Sequence, residues 1–174
     1  MKRKLRLFAL SLIVFGLLAV NVQVSAHDWW IWCWHRGNTL NVFVFGSNQA
    51  EANAALDDWQ SHTHLRLPRR SSHTDISVFG GNFGNTGWGG LASIENSSYD
   101  WWHHWWWCRI EHAHARYNSF YGGTSADIRG VFCQEIGHTF GLDHSNTGDC
   151  MGKSYFNNIN NTGPHNWADI NSKF

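Results

Sequence analysis

Residues 134–144 read Gln-Glu-Ile-Gly-His-Thr-Phe-Gly-Leu-Asp-His. Gln134 and His138 stand four apart, so on a helix they share one face, with Glu135 offset by one residue. Gly141 can adopt backbone conformations closed to other residues, which stops a helix and turns the chain. That turn brings His144 back towards the same point. One amide and two imidazoles placed this way form a candidate metal-ligand set. Three protein ligands with an open fourth position mark a catalytic site, not a closed structural one. Glu135 is then the general base, taking a proton from the water that attacks a carbonyl.

The flanking elements follow from periodicity. Ser125 to Phe140 reads as the helix carrying the site, with Ser125 or Asp127 near its N-cap. Before it, Arg109 to Tyr117 alternates and predicts a strand. Thr39 to Phe45 is a β-rich apolar run ended by Gly46, and Asp75 to Phe79 is another strand. Asn48 to Gln60 has Ala, Leu and Trp59 at helical spacing, with Ser47 or Asn48 as N-cap. Leu65 to Leu67 reads as a short strand stopped by Pro68. The six glycines from Gly80 to Gly90 predict a loop. Leu91 to Glu95 reads as a short edge strand. Residues 145–163 are Asn/Gly-rich and irregular, and His165 to Phe174 predicts a terminal helix. Strands mixed with separated helices point to a single α/β (α+β) domain.

The 134–144 segment resembles the metzincin signature HExxHxxGxxH, with Gln134 in place of the first His. Ser145 follows the last His, as in the matrixin branch, and Cys150-Met151 fits the metzincin Met-turn. Trp59, Asp75-Ile76, the Gly87–Ile94 segment and the strand before the helix also fall in metzincin order. The QExxHxxGxxH form looks like a variant among gametolysin-like and other secreted metzincin-like proteins. The resemblance spans most of residues 39–174. It implies a mixed twisted sheet with an antiparallel edge strand, an active-site helix, a Met-turn and a C-terminal helix. It implies a metalloendopeptidase acting on protein or peptide substrates, with Gln134, His138 and His144 as ligands and Glu135 as base. Gly141 and Met151 would support the site, and residues 91–95 would pair with extended substrate through main-chain hydrogen bonds. In a metzincin fold the helix and the Met-turn lie close together, which implies the pairing Cys133–Cys150 and leaves Cys33 with Cys108.

Zinc is the metal expected. An amide oxygen is a poorer donor than imidazole to this borderline-soft ion. Three outcomes remain open: weaker zinc binding, preference for copper, or a fold kept as a binding module without the chemistry. The candidate surface for such a module is Trp101 to Cys108, WWHHWWWC, with five of the 12 Trp. Buried packing of those indoles is the simpler expectation.

The N-terminus sets the compartment. Lys2, Arg3, Lys4 and Arg6 precede an apolar run from Leu7 to Val20, and Val24-Ser25-Ala26 is a small-residue cleavage pattern. Residues 1–26 therefore read as a secretory signal peptide, with an apolar run too short to serve as a stable membrane anchor. Residues 27–174 form the expected mature, secreted, monomeric domain, with nine basic and 13 acidic residues and so a net charge of −4. That balance argues against a nucleic-acid partner. Four cysteines in an exported chain suggest two disulfides, and no CxxC pair offers a thiolate zinc site.

Other histidines are weaker candidates. His165 reads as a helix-start residue. His112 and His114 share one face of a strand and, with His103 and His104, could form a second site. No carboxylate or Cys completes that set, so solvent-facing histidines are expected. His27, as a mature N-terminus, resembles the histidine brace of copper polysaccharide monooxygenases. That family is all-β, which the helical metal motif argues against.

Overall fold

The computed structural model describes residues 32–34, 37–72, 75–99, 108–146, 148–153 and 159–174. The predicted signal peptide, His27 and residues 101–107 lie outside them. Five strands and three helices follow in the order β1 (Trp32–Cys33), β2 (Val42–Gly46), α1 (Gln49–His62), β3 (Ile76–Gly81), β4 (Gly90–Tyr99), β5 (Cys108–Asn118), α2 (Ser125–Thr139) and α3 (Pro164–Lys173). A 3-10 turn, Ser119–Tyr121, joins β5 to the approach of α2. This is the mixed α+β architecture expected. β2, β3 and β5 are parallel, and β4 lies antiparallel along the other side of β5 as an edge strand. β1 joins β5 in parallel, opposing Trp32 to Cys108 and Cys33 to Arg109. The side chains of Cys33 and Cys108, the second predicted disulfide, lie outside the described residues.

Both long helices cover one face of the sheet and pack on each other. In α1 the buried residues are Ala52, Ala55, Leu56 and Trp59, the i, i+3, i+4, i+7 stripe of a helix with one apolar face. They meet Val42, Ile76, Val78, Ala113 and Ala115 from the sheet and Val131, Phe132 and Ile136 from α2 in one core. Two indoles fix α2 as well as pack on it. Trp59 Nε1 donates to the Cys133 carbonyl at 3.0 Å, and Trp34 Nε1 donates to that of Thr139 at 2.8 Å. The second bond occupies a helix-terminal carbonyl that has no partner inside the helix.

Several boundaries differ from the sequence reading for identifiable reasons. The strand predicted from Thr39 is β2 and begins at Val42, because the Asn41 amide donates to the buried Asp75 carboxylate at 2.7 Å instead of to a ladder. Within residues 65–67 only Arg66 bridges, to Thr39, so they form no strand; Pro68 beside them lacks a ladder donor. Gly80, Gly81 and Gly90 belong to strands, not to the predicted loop. At Gly80 a Cβ would lie 2.5 Å from the Ser47 carbonyl oxygen, so glycine permits a close approach of backbones there. β4 runs to Tyr99, well beyond the predicted Glu95, its polar second half held by pairing with β5 across irregularities around Asn96.

Helix α2 starts one residue earlier in its capping than expected. Thr124 is the N-cap. Its hydroxyl accepts from the Asp127 amide while the Asp127 carboxylate accepts from the Thr124 amide. Thr124→Ala should therefore lower the unfolding free energy by about 1 kcal/mol in urea titrations. Ser125→Ala, at an exposed position outside the cap, should cost less than about 0.5 kcal/mol. Equal costs would contradict this assignment.

Candidate metal centre

The last turn of α2 closes in a Schellman motif. Gly141, at φ 90°, donates its amide to the His138 carbonyl at 2.9 Å, and the Leu142 amide donates to the Gly137 carbonyl at 3.2 Å. The chain then doubles back, and the rings of His138 and His144 come to 4.8 Å between centroids, nearly perpendicular. The turn that reverses the chain also orients the first imidazole. His138 Nδ1 lies 2.8 Å from the Leu142 carbonyl oxygen. A carbonyl only accepts, so the proton sits on Nδ1, and the neutral ring carries its lone pair on Nε2.

Gln134 lies one helical turn before His138 on α2, buried. Its Nε2 donates to the Gly152 carbonyl at 2.8 Å, which fixes the carboxamide and leaves the oxygen as the atom it can offer a cation. One residue earlier, Cys133 forms the predicted disulfide with Cys150, with Cα atoms 5.9 Å apart. A link across a sequence separation of 17 residues is worth about 3 kcal/mol in the chain-entropy account. Adjacent residues of α2 are thus tied to both ends of the Cys150–Gly152 segment. That segment is closed by the Ser145 amide, which donates to the Met151 carbonyl at 2.8 Å. Asp149 is buried inside the turn, and its Oδ1 accepts from Ser145 Oγ at 3.1 Å and from the Met151 amide at 3.0 Å.

Met151 lies beneath α2. A Cβ on Gly137 would collide with its thioether sulfur and would come within 2.9 Å of the Trp59 ring. Gly137 is thus the residue that lets the methionine and the indole reach the helix. Neither Gly137 nor Asp149 is marked by the ligand spacing in the sequence. A glycine inside a helix costs about 1 kcal/mol relative to Ala, which is itself a signal of close packing. Asp149 carried no such mark, lying in a polar, Asn/Gly-rich stretch.

The two imidazoles differ in surroundings. His138 is 5% exposed. Burial pushes its pKa down to about 4; the Leu142 carbonyl opposes this, His144 reinforces it and Asp143 opposes it again. His144 is more open, its side chain 37% exposed, with Nδ1 3.8 Å from Asp143 Oδ1. Glu135 is 2% exposed and faces the head of β4 from α2. A buried imidazole held neutral, a second imidazole beside it and an oriented amide oxygen are donors that suit a divalent transition metal. Among the described residues no three His, Cys, Asp or Glu side chains are placed to hold a metal; the predicted set, with its amide, is not of that composition.

The remaining histidines lie elsewhere. His165 sits 3.7 Å from Asp169 within α3. His112 and His114 share the sheet face away from the helices, with rings 4.9 Å apart. There His114 Nδ1 lies 3.2 Å from Glu95 and 2.7 Å from Arg116 Nη2, in a network of charge pairs. Compared with protein-family models and with curated proteins, the chain matches none. No helix among the described residues is long and apolar enough to cross a membrane.

The depressed His138 pKa makes stability depend on pH. The fold favours the neutral ring, so this contribution is complete above the unfolded value of about 6.5 and is lost as pH falls towards 4. The metal-free protein should lose about 3 kcal/mol of unfolding free energy between pH 7 and pH 4 from this group. Denaturant titrations across that range should show a smaller loss for His138→Asn. Identical slopes for the two proteins would contradict it.

Proposed function

We propose that the chain is an exported, metal-dependent endopeptidase of metzincin type, with Gln134, His138 and His144 holding the metal. The observation that carries this reading is the junction of α2 with its two turns. It sets two imidazoles 4.8 Å apart, fixes the tautomer of one and orients the Gln134 amide one helical turn away. Zinc bound there would supply Lewis-acid activation of water and of the scissile carbonyl.

The chain's own groups supply the rest. The carboxylate of Glu135, next to a ligand in sequence and buried between α2 and β4, takes the proton of the attacking water and passes it to the departing amine. β4 is an edge strand, so its outer main-chain groups can pair with an extended peptide and lay it past that carboxylate. Chemistry at a main-chain amide, with the substrate held through its main chain, favours proteins and peptides over other carbonyl compounds.

Hydrolysis of an unfolded protein by the oxidised chain, supplied with zinc or copper, tests the reading. Glu135→Ala should lower kcat by about 10²–10⁴-fold, the usual worth of a general base, while the protein stays folded. Chelation should abolish cleavage, and added metal should restore it. A folded native chain that cleaves nothing with either metal would overturn the peptidase reading in favour of a binding module.

A further inference from the structure

We infer that Gly90, the first residue of β4, is a positioning residue for Glu135: the absence of a side chain there makes the slot in which the carboxylate stands. The inference rests on the general-base reading above. A Cβ at position 90 would collide with Glu135 Oε1, and would lie 2.6 Å from Val131 Cγ1 and 2.8 Å from Glu135 Cγ. All these distances are below the 3.0 Å that real Cβ contacts essentially never cross.

The surroundings decide which atom yields. Gly90 is buried and held in register opposite Tyr117, and the neighbouring Gly89 carbonyl accepts from the Asn118 amide at 2.8 Å. The strand is therefore fixed on its side. On the other side, α2 is fixed at Cys133 by the disulfide and at Gln134 by its bond to Gly152. Val131 is buried and β-branched, stiff about its first torsion. The end of the Glu135 side chain is the softest of the three contacts, so a methyl group at position 90 displaces the carboxylate. Gly90 does not have a positive φ, so backbone conformation does not call for glycine here. On backbone grounds alone, alanine at this position would be neutral or mildly stabilising through the unfolded chain. The requirement for glycine comes from the space that Glu135 and Val131 occupy.

The test is Gly90→Ala in the full chain with zinc, together with a thermal double-mutant cycle on the metal-free protein. The expected results are a kcat lower by at least about 100-fold, the scale of a misplaced catalytic group, with KM changed little. The loss in Tm should be smaller in a Glu135→Ala background than in the native one, because part of the collision is gone. Val131→Ala combined with Gly90→Ala relieves the Val131 contact alone, so it should recover stability while kcat stays low, because the methyl group still meets Glu135. Recovery of kcat along with stability would mark a merely structural role for Gly90 and overturn the inference, and this double variant also serves if Gly90→Ala alone is insoluble. An active native chain whose Gly90→Ala variant keeps its kcat, or equal Tm losses in both backgrounds, would overturn this inference alone. A native chain without hydrolysis would overturn the peptidase reading and, with it, the catalytic role of Gly90.

Discussion

Helix α2 is joined to the Cys150–Gly152 segment at two consecutive residues, Cys133 through its disulfide to Cys150 and Gln134 through its side-chain hydrogen bond to Gly152. Everything proposed about the site depends on that junction. A helix by itself presents Gln134 and His138 on one face, but it cannot place a third group or fix the depth of the turn beneath. The disulfide limits how far the turn can move, and the Gln134 bond sets its rotation relative to the helix. Met151 is then trapped under Gly137, where the helix has no side chain to keep it away. The Trp59 indole closes the same space and bonds the Cys133 carbonyl from the opposite helix.

The second constraint is the helix end. Leu142 serves twice: its amide completes the Schellman motif and its carbonyl accepts a hydrogen bond from His138 Nδ1. Stopping the helix and choosing the imidazole tautomer are therefore one local event. Burial then keeps His138 neutral over the physiological range, which is the form a cation requires. The sheet enters through β4, whose first residue abuts the Glu135 carboxylate.

Much of this was legible in the sequence because periodicity and turn chemistry are local. The Ala52–Trp59 stripe, the strand carrying His112 and His114, and the stop at Gly141 follow from spacing alone. What failed has a common cause: close contacts between residues far apart in the chain. The predicted edge strand stops at Glu95, yet pairing with β5 carries it through the polar Asn96–Ser98 to Tyr99. Gly80, Gly81 and Gly90 read as loop glycines, but at Gly80 and Gly90 glycine is needed because another group lies against the backbone. β1 has two residues and no pattern to read. At the site, the Cys133–Cys150 pairing came from family resemblance, whereas Asp149 and Gly137 act through contacts that no spacing rule describes.

The proposed metal site joins two imidazoles and one amide of this chain around one ion. Calorimetric titration of the metal-stripped, oxidised protein with zinc tests it directly, beside folded Gln134→Ala, His138→Ala and His144→Ala variants. One zinc should bind per chain, with binding weakened by each substitution and more by loss of either His than by loss of Gln134. Zinc binding that survives loss of His138 and His144, or no zinc binding by the folded native chain, would contradict it.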